Sequence, residues 1–258
     1  MKYKLTEETK EIYGRTLHRI VCVTAFASVS VGETGGWVES EKNLSQYDNA
    51  WVCDNAKVYD NAKVYGNAWV FGNAKVYDNA QVYGDARVYG NAWVYDNAKV
   101  YDNAQVYDNA EVYDNAQVYG DARVFGNAKV YDNAQVYGDA KVFGDARVYG
   151  NAWVYDNAKV YDNAQVYGDA RVFGNAEVYD NAEVKQTSDY IVLKNCWGSG
   201  RYFTYTSSND KWHVGCFHGT GEELIKKAYS EGELKGKCYE ASVKYVQDIM
   251  RLIKEANK

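Results

Sequence analysis

From Tyr47 to Val184 apolar and polar positions recur with a period of six and no insertion, giving 23 consecutive units. Each unit reads Tyr/Phe, Asp/Gly, Asn/Asp, Ala, a variable residue, Val; Tyr77-Asp78-Asn79-Ala80-Gln81-Val82 is one copy. Ala and Val hold their places in all 23 copies, and only Cys53 departs at the aromatic place. An unbroken short period fixes an architecture before any single element is assigned. Ala and Val stand two apart, so in an extended chain they share one face, and the variable residue and the aromatic share the other. The variable places carry Lys, Arg, Gln, Glu and some Trp, which suits solvent. Ala and Val are therefore expected inside, the variable residue and the ring outside. Between strands lie Asp-Asn, Gly-Asn or Gly-Asp, types that tolerate a left-handed backbone and make corners. Six residues thus predict one short strand and one corner, each strand stacked on copies of itself so that backbone groups are paired.

The pattern, as in Val82-Tyr83-Gly84-Asp85-Ala86, resembles the hexapeptide repeat of left-handed parallel β-helices, with Val in the aliphatic place and Ala in the small one. It departs from that family in placing Tyr or Phe directly after the aliphatic. The resemblance implies three hexads per coil and a mostly β fold, a parallel left-handed β-helix solenoid of about eight coils, roughly 37 Å long at the spacing of stacked strands. A right-handed solenoid is the structural competitor.

Residues 1–46 read as an N-terminal β cap and first coil, since the open end of a parallel solenoid exposes unpaired backbone. Leu17 to Val31 alternates loosely and is β-branched, as strands are. Gly35-Gly36-Trp37-Val38 followed by Leu44-Ser45-Gln46 resembles the opening segment of the YdcK-like hexapeptide-repeat proteins, and the likeness covers about residues 1–184. Val38, Leu44 and Val52 are then expected as the three inward aliphatics of a first coil.

Composition narrows the function. The chain has no proline, as a parallel sheet that uses every backbone N–H requires. The 23 hexads hold 17 Asp and 3 Glu against 7 Lys and 4 Arg, which argues against nucleic-acid binding. The five cysteines are scattered and odd in number, so no disulfide framework is expected, and a reduced, cytoplasmic setting fits. No apolar signal core and no membrane-length run is present. Asp-Asp never forms a corner, which would limit repulsion between stacked carboxylates. The segment Gly84–Tyr107 recurs identically as Gly144–Tyr167, an offset of ten hexads. Ten is not a multiple of three, so Trp93 and Trp153 are expected on different faces. That speaks for duplication rather than a patterned active face.

Residues 185–258 lose the period and read as a small α+β module. Tyr190–Leu193, Tyr202–Tyr205 and Trp212–Phe217 are expected strands, and 221–229 and 239–256 expected helices, the first capped by Thr220 with Glu223. The second should bury a stripe of Ala241, Val243, Val246, Ile249, Met250, Leu252 and Ile253. Gly198, Ser199, Arg201, Thr204, Tyr205, Gly215, Cys216, Phe217, Gly219 and Thr220 resemble a small C-terminal unit of phage and Gram-positive proteins.

Candidate chemistry is sparse. The outward rings either stabilise the sheet by stacking or form an adhesive surface. Trp51 and Trp69 are expected as stacked outward neighbours and a binding platform. Trp197, Arg201 and Thr204, with Cys216 and Thr220, are the binding candidates of the module. His18, His213 and His218 are the only histidines, and none stands in the hexads, so the acyl-transfer chemistry associated with this helix lacks a base there. His213 and Cys216 on one strand would point to opposite faces, which argues against a shared metal. The reading is a non-enzymatic scaffold or spacer, with no catalytic residue, metal or cofactor, that presents the module to a protein partner. A sequestering protein for a host small molecule or protein is the alternative, and an acidic DNA mimic a weaker one.

Overall fold

The computed structural model describes residues 1–256. Each hexad forms a two-residue strand made of its variable residue and Val, from Trp51–Val52 to Glu183–Val184. Strands pair in parallel with those 18 residues away, for example Val88 with Val70 and Val106, so three hexads make one coil. The coils build three sheets of 11, 8 and 7 strands, the first including three N-terminal strands, in a parallel β-solenoid of about eight turns. Every hexad Ala is fully buried, as is every hexad Val but Val64 at 1 % exposure. The interior is a column of small side chains that the pattern alone dictated.

The corners explain the choice of turn residues. The second hexad residue has positive φ throughout from Asp54 (φ 55) to Asp180 (φ 58), whether Asp or Gly. Where it is Asp, its carboxylate can accept the backbone N–H of the equivalent residue one coil on, as Asp48 does from Gly66 at 2.6 Å and Asp132 from Gly150 at 2.9 Å. The third residue builds an amide ladder, in which Asn49 Nδ2 donates to Asn67 and Asn67 to Asp85, both at 3.0 Å. Avoidance of Asp-Asp within a corner does not keep carboxylates apart between coils. Asp60, Asp78, Asp96, Asp114 and Asp132 follow one another at the coil spacing, and between the last two the N–H of Asp132 donates to the Asp114 carboxylate at 3.3 Å.

The aromatic residues form three ladders of parallel rings. Phe71–Tyr89 centroids lie 4.7 Å apart at 2°, and Tyr59–Tyr77 5.1 Å apart at 3°. Hydroxyls reach across to the next coil, as Tyr65 does to Gln81 (3.1 Å) and Tyr149 to Gln165 (3.1 Å).

The N-terminal cap differs from the expected strand at Leu17–Val31. An antiparallel pair, β1 (Tyr3–Ile12) and β2 (Arg15–Cys22), leads into β3 (Thr34–Val38), and residues 23–31 are mostly loop. Charge along Tyr3–Ile12 hid that strand, because most of it faces solvent. The first coil is as expected: Val38 pairs with Val58, Leu44 bridges to Val64, and Val52 pairs with Val70. Gly35 and Gly36 lie so close to the shaft that a Cβ would stand 2.5 Å from Ile20 Cγ1 and 2.7 Å from Val52 Cγ1 respectively.

In the module the strands Tyr190–Lys194, Tyr202–Thr206, Lys211–Val214 and Phe217–Gly219 form an antiparallel sheet packed on α1 (Gly221–Ser230) and α2 (Glu233–Ala256). The expected third strand is in fact a hairpin, broken by Gly215 at φ 61. Thr220 and Glu223 form the expected capping box. Helix α2 starts six residues earlier than expected and leaves Ala241 and Leu252 exposed, while Val243, Val246 and Met250 are buried. No helix among the described residues is long and apolar enough to cross a membrane.

Candidate functional site at the junction of shaft and module

Parallel stacking leaves different groups unpaired at the two ends of the solenoid. Carbonyls of the first coil face the N-terminal end. The ammonium of Lys2 donates to Ala50 O (2.7 Å), the backbone N–H of Trp37 to Ala56 O (2.9 Å), and the amide of Asn43 to Ala62 O (3.0 Å). N–H groups of the last coil face the C-terminal end, and each sheet is met there by a hydroxyl, the sheet ending at Arg171–Val172 by a second one as well, Tyr190 OH accepting from Phe173 N–H (3.3 Å). Thr187 Oγ1 accepts from Arg171 N–H (3.2 Å), Thr204 Oγ1 from Glu177 N–H (3.0 Å) and Ser208 Oγ from Glu183 N–H (2.7 Å). The module therefore completes the shaft instead of hanging from it, because uncovered N–H groups would otherwise remain in a sheet end.

Around Thr204 lies a polar cluster. His213, 6 % exposed, sends Nε2 to Glu177 Oε2 at 2.6 Å, and Lys159 Nζ meets the other carboxylate oxygen at 3.0 Å. His213 Nδ1 stands 3.0 Å from His218 Nδ1 and 3.3 Å from Tyr161 OH. The Nε2–H of His213 donates to the Glu177 carboxylate, and its Nδ1 faces His218 and Tyr161. Burial raises the Glu177 carboxyl, but the hydrogen bonds and charges of His213 and Lys159 outweigh it and hold it at about 2. Burial and the neighbouring His213 push His218 below the usual imidazole range. Tyr179, pushed up to about 12 by burial, ends its ladder here, donating to Trp212 O at 3.0 Å with both imidazoles edge-on to its ring.

A cleft of about 260 Å3 adjoins this cluster, lined by Lys159, Glu177, Arg201, Tyr202, Thr204 and His213 among others. Its lining supplies cationic donors from Lys159 and Arg201 and a carboxylate acceptor from Glu177.

The expected site residues are dispersed. Arg201 and Thr204 meet in the junction cleft, although Thr204 is spent on its cap bond. Trp197 lines a separate cleft with Leu193, Cys238 and Tyr245. Cys216 is exposed at the hairpin turn, and Thr220 is occupied as the α1 cap. The platform at Trp51 and Trp69 is corrected. The two are in register as expected, but Trp51 is fully buried under Phe26 and Tyr3 because the N-terminal cap folds over the first coil. Trp93 and Trp153 stand on different sheets, as the offset of ten hexads required.

Histidine chemistry does reach the shaft, against expectation, because the module carries His213 onto Glu177. Composition could not show this. The coil register could have flagged Glu177, since an 18-residue spacing opposes it to Lys159, as it opposes Glu111 to Lys129. Among the described residues no group of three or more His, Cys, Asp or Glu is placed to hold a metal.

The sequence model of the YdcK β-solenoid repeat matches residues 80–96, 104–120, 116–138, 128–150, 140–156 and 164–180, all within the ladder. Over those segments the shaft is similar to the YdcK β-solenoid repeat. No curated protein matches the chain. The junction cluster lies at the last coils of the shaft, where the repeats meet the module.

Proposed function

We propose that the protein is a non-enzymatic scaffold, in which the YdcK-like shaft holds the C-terminal module at a fixed reach and angular phase toward a protein partner in the cytoplasm. The observation behind this reading is the docking of the module on the last coil through hydroxyls on every sheet and the Glu177–His213 contact. A module fixed in this way inherits both the length and the rotation of the shaft. Adding or removing 18 residues changes reach alone, whereas six residues also turn the module by one face. The test is a pair of in-frame deletions, residues 95–130 and residues 101–106, each compared with the full chain for folding and for its effect in the host. Both variants should fold, since every junction is a hexad meeting a hexad. Loss of the effect in either supports the scaffold, and an effect indifferent to both deletions overturns it.

A second reading, sequestration of a small polar molecule, is favoured by the convergence of Lys159, Arg201 and His213 on the junction cleft. A small molecule retained in native mass spectrometry and lost on Arg201→Ala would support it.

A further inference from the structure

One ladder stops short. Its rings run from Tyr179 down to Phe71, and Cys53 stands where the next ring belongs, 18 residues before Phe71 and in register with it. Phe71 stacks on Tyr89 at 4.7 Å on one side, and among the described residues no ring stacks on the other. The other two ladders end differently. Tyr59 is buried beneath Leu17 and Trp37, and the ladder of Tyr65 is followed by Tyr47, which is wholly exposed. Only at Phe71 is a ring replaced by a small side chain, and that replacement coincides with a cleft of about 580 Å3, within the range of small-molecule sites.

The walls of this cleft carry further marks of a site. Trp69 lines it half-buried, with no cation over its face among the described residues, whereas Lys75 lies 4.1 Å from the Trp93 ring and Arg171 4.6 Å from that of Trp153. Ala27 and Ser28 line it from the tight turn between Phe26 and Val29, and Ala27 holds φ 43, a conformation costly for a residue with a Cβ. Asp85 and Arg87 also line it, and neither makes an ion pair among the described residues. Trp69 pairs with Trp51 and Arg87 with Trp69, so Asp85 and Arg87 border the cleft two coils beyond the level of Cys53.

We propose that this cleft is a binding site for a planar heteroaromatic ring, which stacks on Phe71 in the place of the missing ladder ring, beside Cys53 and Trp69. The ladder itself is the argument for a flat ring: the shaft repeats one ring per coil along this column, and at Cys53 that ring is absent. Stacking on an aromatic side chain tolerates many rings.

The test uses the full-length protein with adenosine and guanosine as probes and maltotriose as a non-planar control, followed by isothermal titration calorimetry. Cys53→Ala keeps the gap and Cys53→Tyr supplies the ring that neighbouring hexads carry, so both variants should fold. Trp69→Gln uses a residue the repeats already hold at that place. Purine binding that survives in Cys53→Ala and weakens about tenfold or more in Cys53→Tyr and Trp69→Gln is the expected result. Equal binding by Cys53→Tyr, binding of maltotriose alone, or no heat with either purine at about 5 mM would each overturn the proposal.

Discussion

His213 Nε2 lies 2.6 Å from Glu177 Oε2, tying a buried side chain of the module to the last turns of the shaft. This contact sets how acid acts on the junction. The Glu177 carboxyl is held at about 2, below its ordinary 4.5, so its stabilisation is full above about pH 4.5 and lost as pH falls toward 2. His218 is shifted the other way for a base: its folded form resists the proton that the unfolded chain accepts near 6.5, so stability also declines as pH drops below that value. Urea unfolding across pH should therefore show two acid-side losses. Glu177→Gln should remove the lower one and cost about 1–3 kcal/mol at neutral pH, and His218→Gln should remove the upper one. A stability profile flat from pH 7 to 3 would refute the assignment.

The hydroxyl caps predict a different signature. Thr204→Val keeps the shape of the side chain but leaves Glu177 N–H without its acceptor, as Ser208→Ala does for Glu183 N–H. Each should cost about 1–3 kcal/mol if the N–H stays buried, and less where water replaces the hydroxyl. Hydrogen exchange should quicken at the amides of Glu177 and Glu183 and leave the middle coils, such as Val118 and Val136, unchanged. Uniform quickening along the shaft would show that the hydroxyls do not act as local caps.

Much of this architecture was legible because the period repeats one rule. Ala and Val at a spacing of two fixed the inside, and the 18-residue coil placed Val38, Leu44 and Val52 together in the first turn. Residues at the ends obey other partners, and there the pattern fell short. Trp51 occupies an outward place by its hexad, yet Phe26 and Tyr3 bury it, since the cap folds back from a distant part of the sequence. His213 was invisible as a neighbour of Glu177 for the same reason: the chain between them loses its period after Val184, and no spacing rule carries across that stretch. Thr187, Thr204 and Ser208 look like ordinary turn and strand residues until the direction of the last unpaired N–H groups is known.

Thiol chemistry should follow burial. The Cys53 thiol is pushed up to about 12, first by burial and then by Asp54 and Glu33, so at pH 8 only about one in ten thousand is thiolate. Cys196 and Cys216 are exposed and Cys22 is buried. Brief iodoacetamide treatment of the folded protein at pH 8, read by peptide mass spectrometry, should alkylate Cys196 and Cys216 and spare Cys53 and Cys22. Rapid alkylation of Cys53 would show that its thiol ionises more readily than its burial beside Asp54 and Glu33 implies.

The tyrosine ladders should be visible in alkali. Burial, followed by the charge that a neighbouring phenolate would add, pushes Tyr101 and Tyr113 up to about 12. A ring that must stay neutral between two stacked neighbours releases its proton only when the stack separates. Because the folded value is raised above the ordinary 10, the stabilisation is complete below pH 10 and lost as pH rises through 12. Absorbance titration at the phenolate band should thus show the ladder tyrosines in a late, steep phase coinciding with loss of the β signal in circular dichroism. In denaturant that phase should move to near pH 10. Tyr113→Phe, which keeps the ring, should leave neutral-pH stability within about 0.5 kcal/mol, whereas Tyr113→Ala breaks two stacked contacts and should cost about 1–3 kcal/mol. If the folded protein instead released its phenolic protons in one step near pH 10, the rings would be solvated individually and the ladders would contribute little to the shaft.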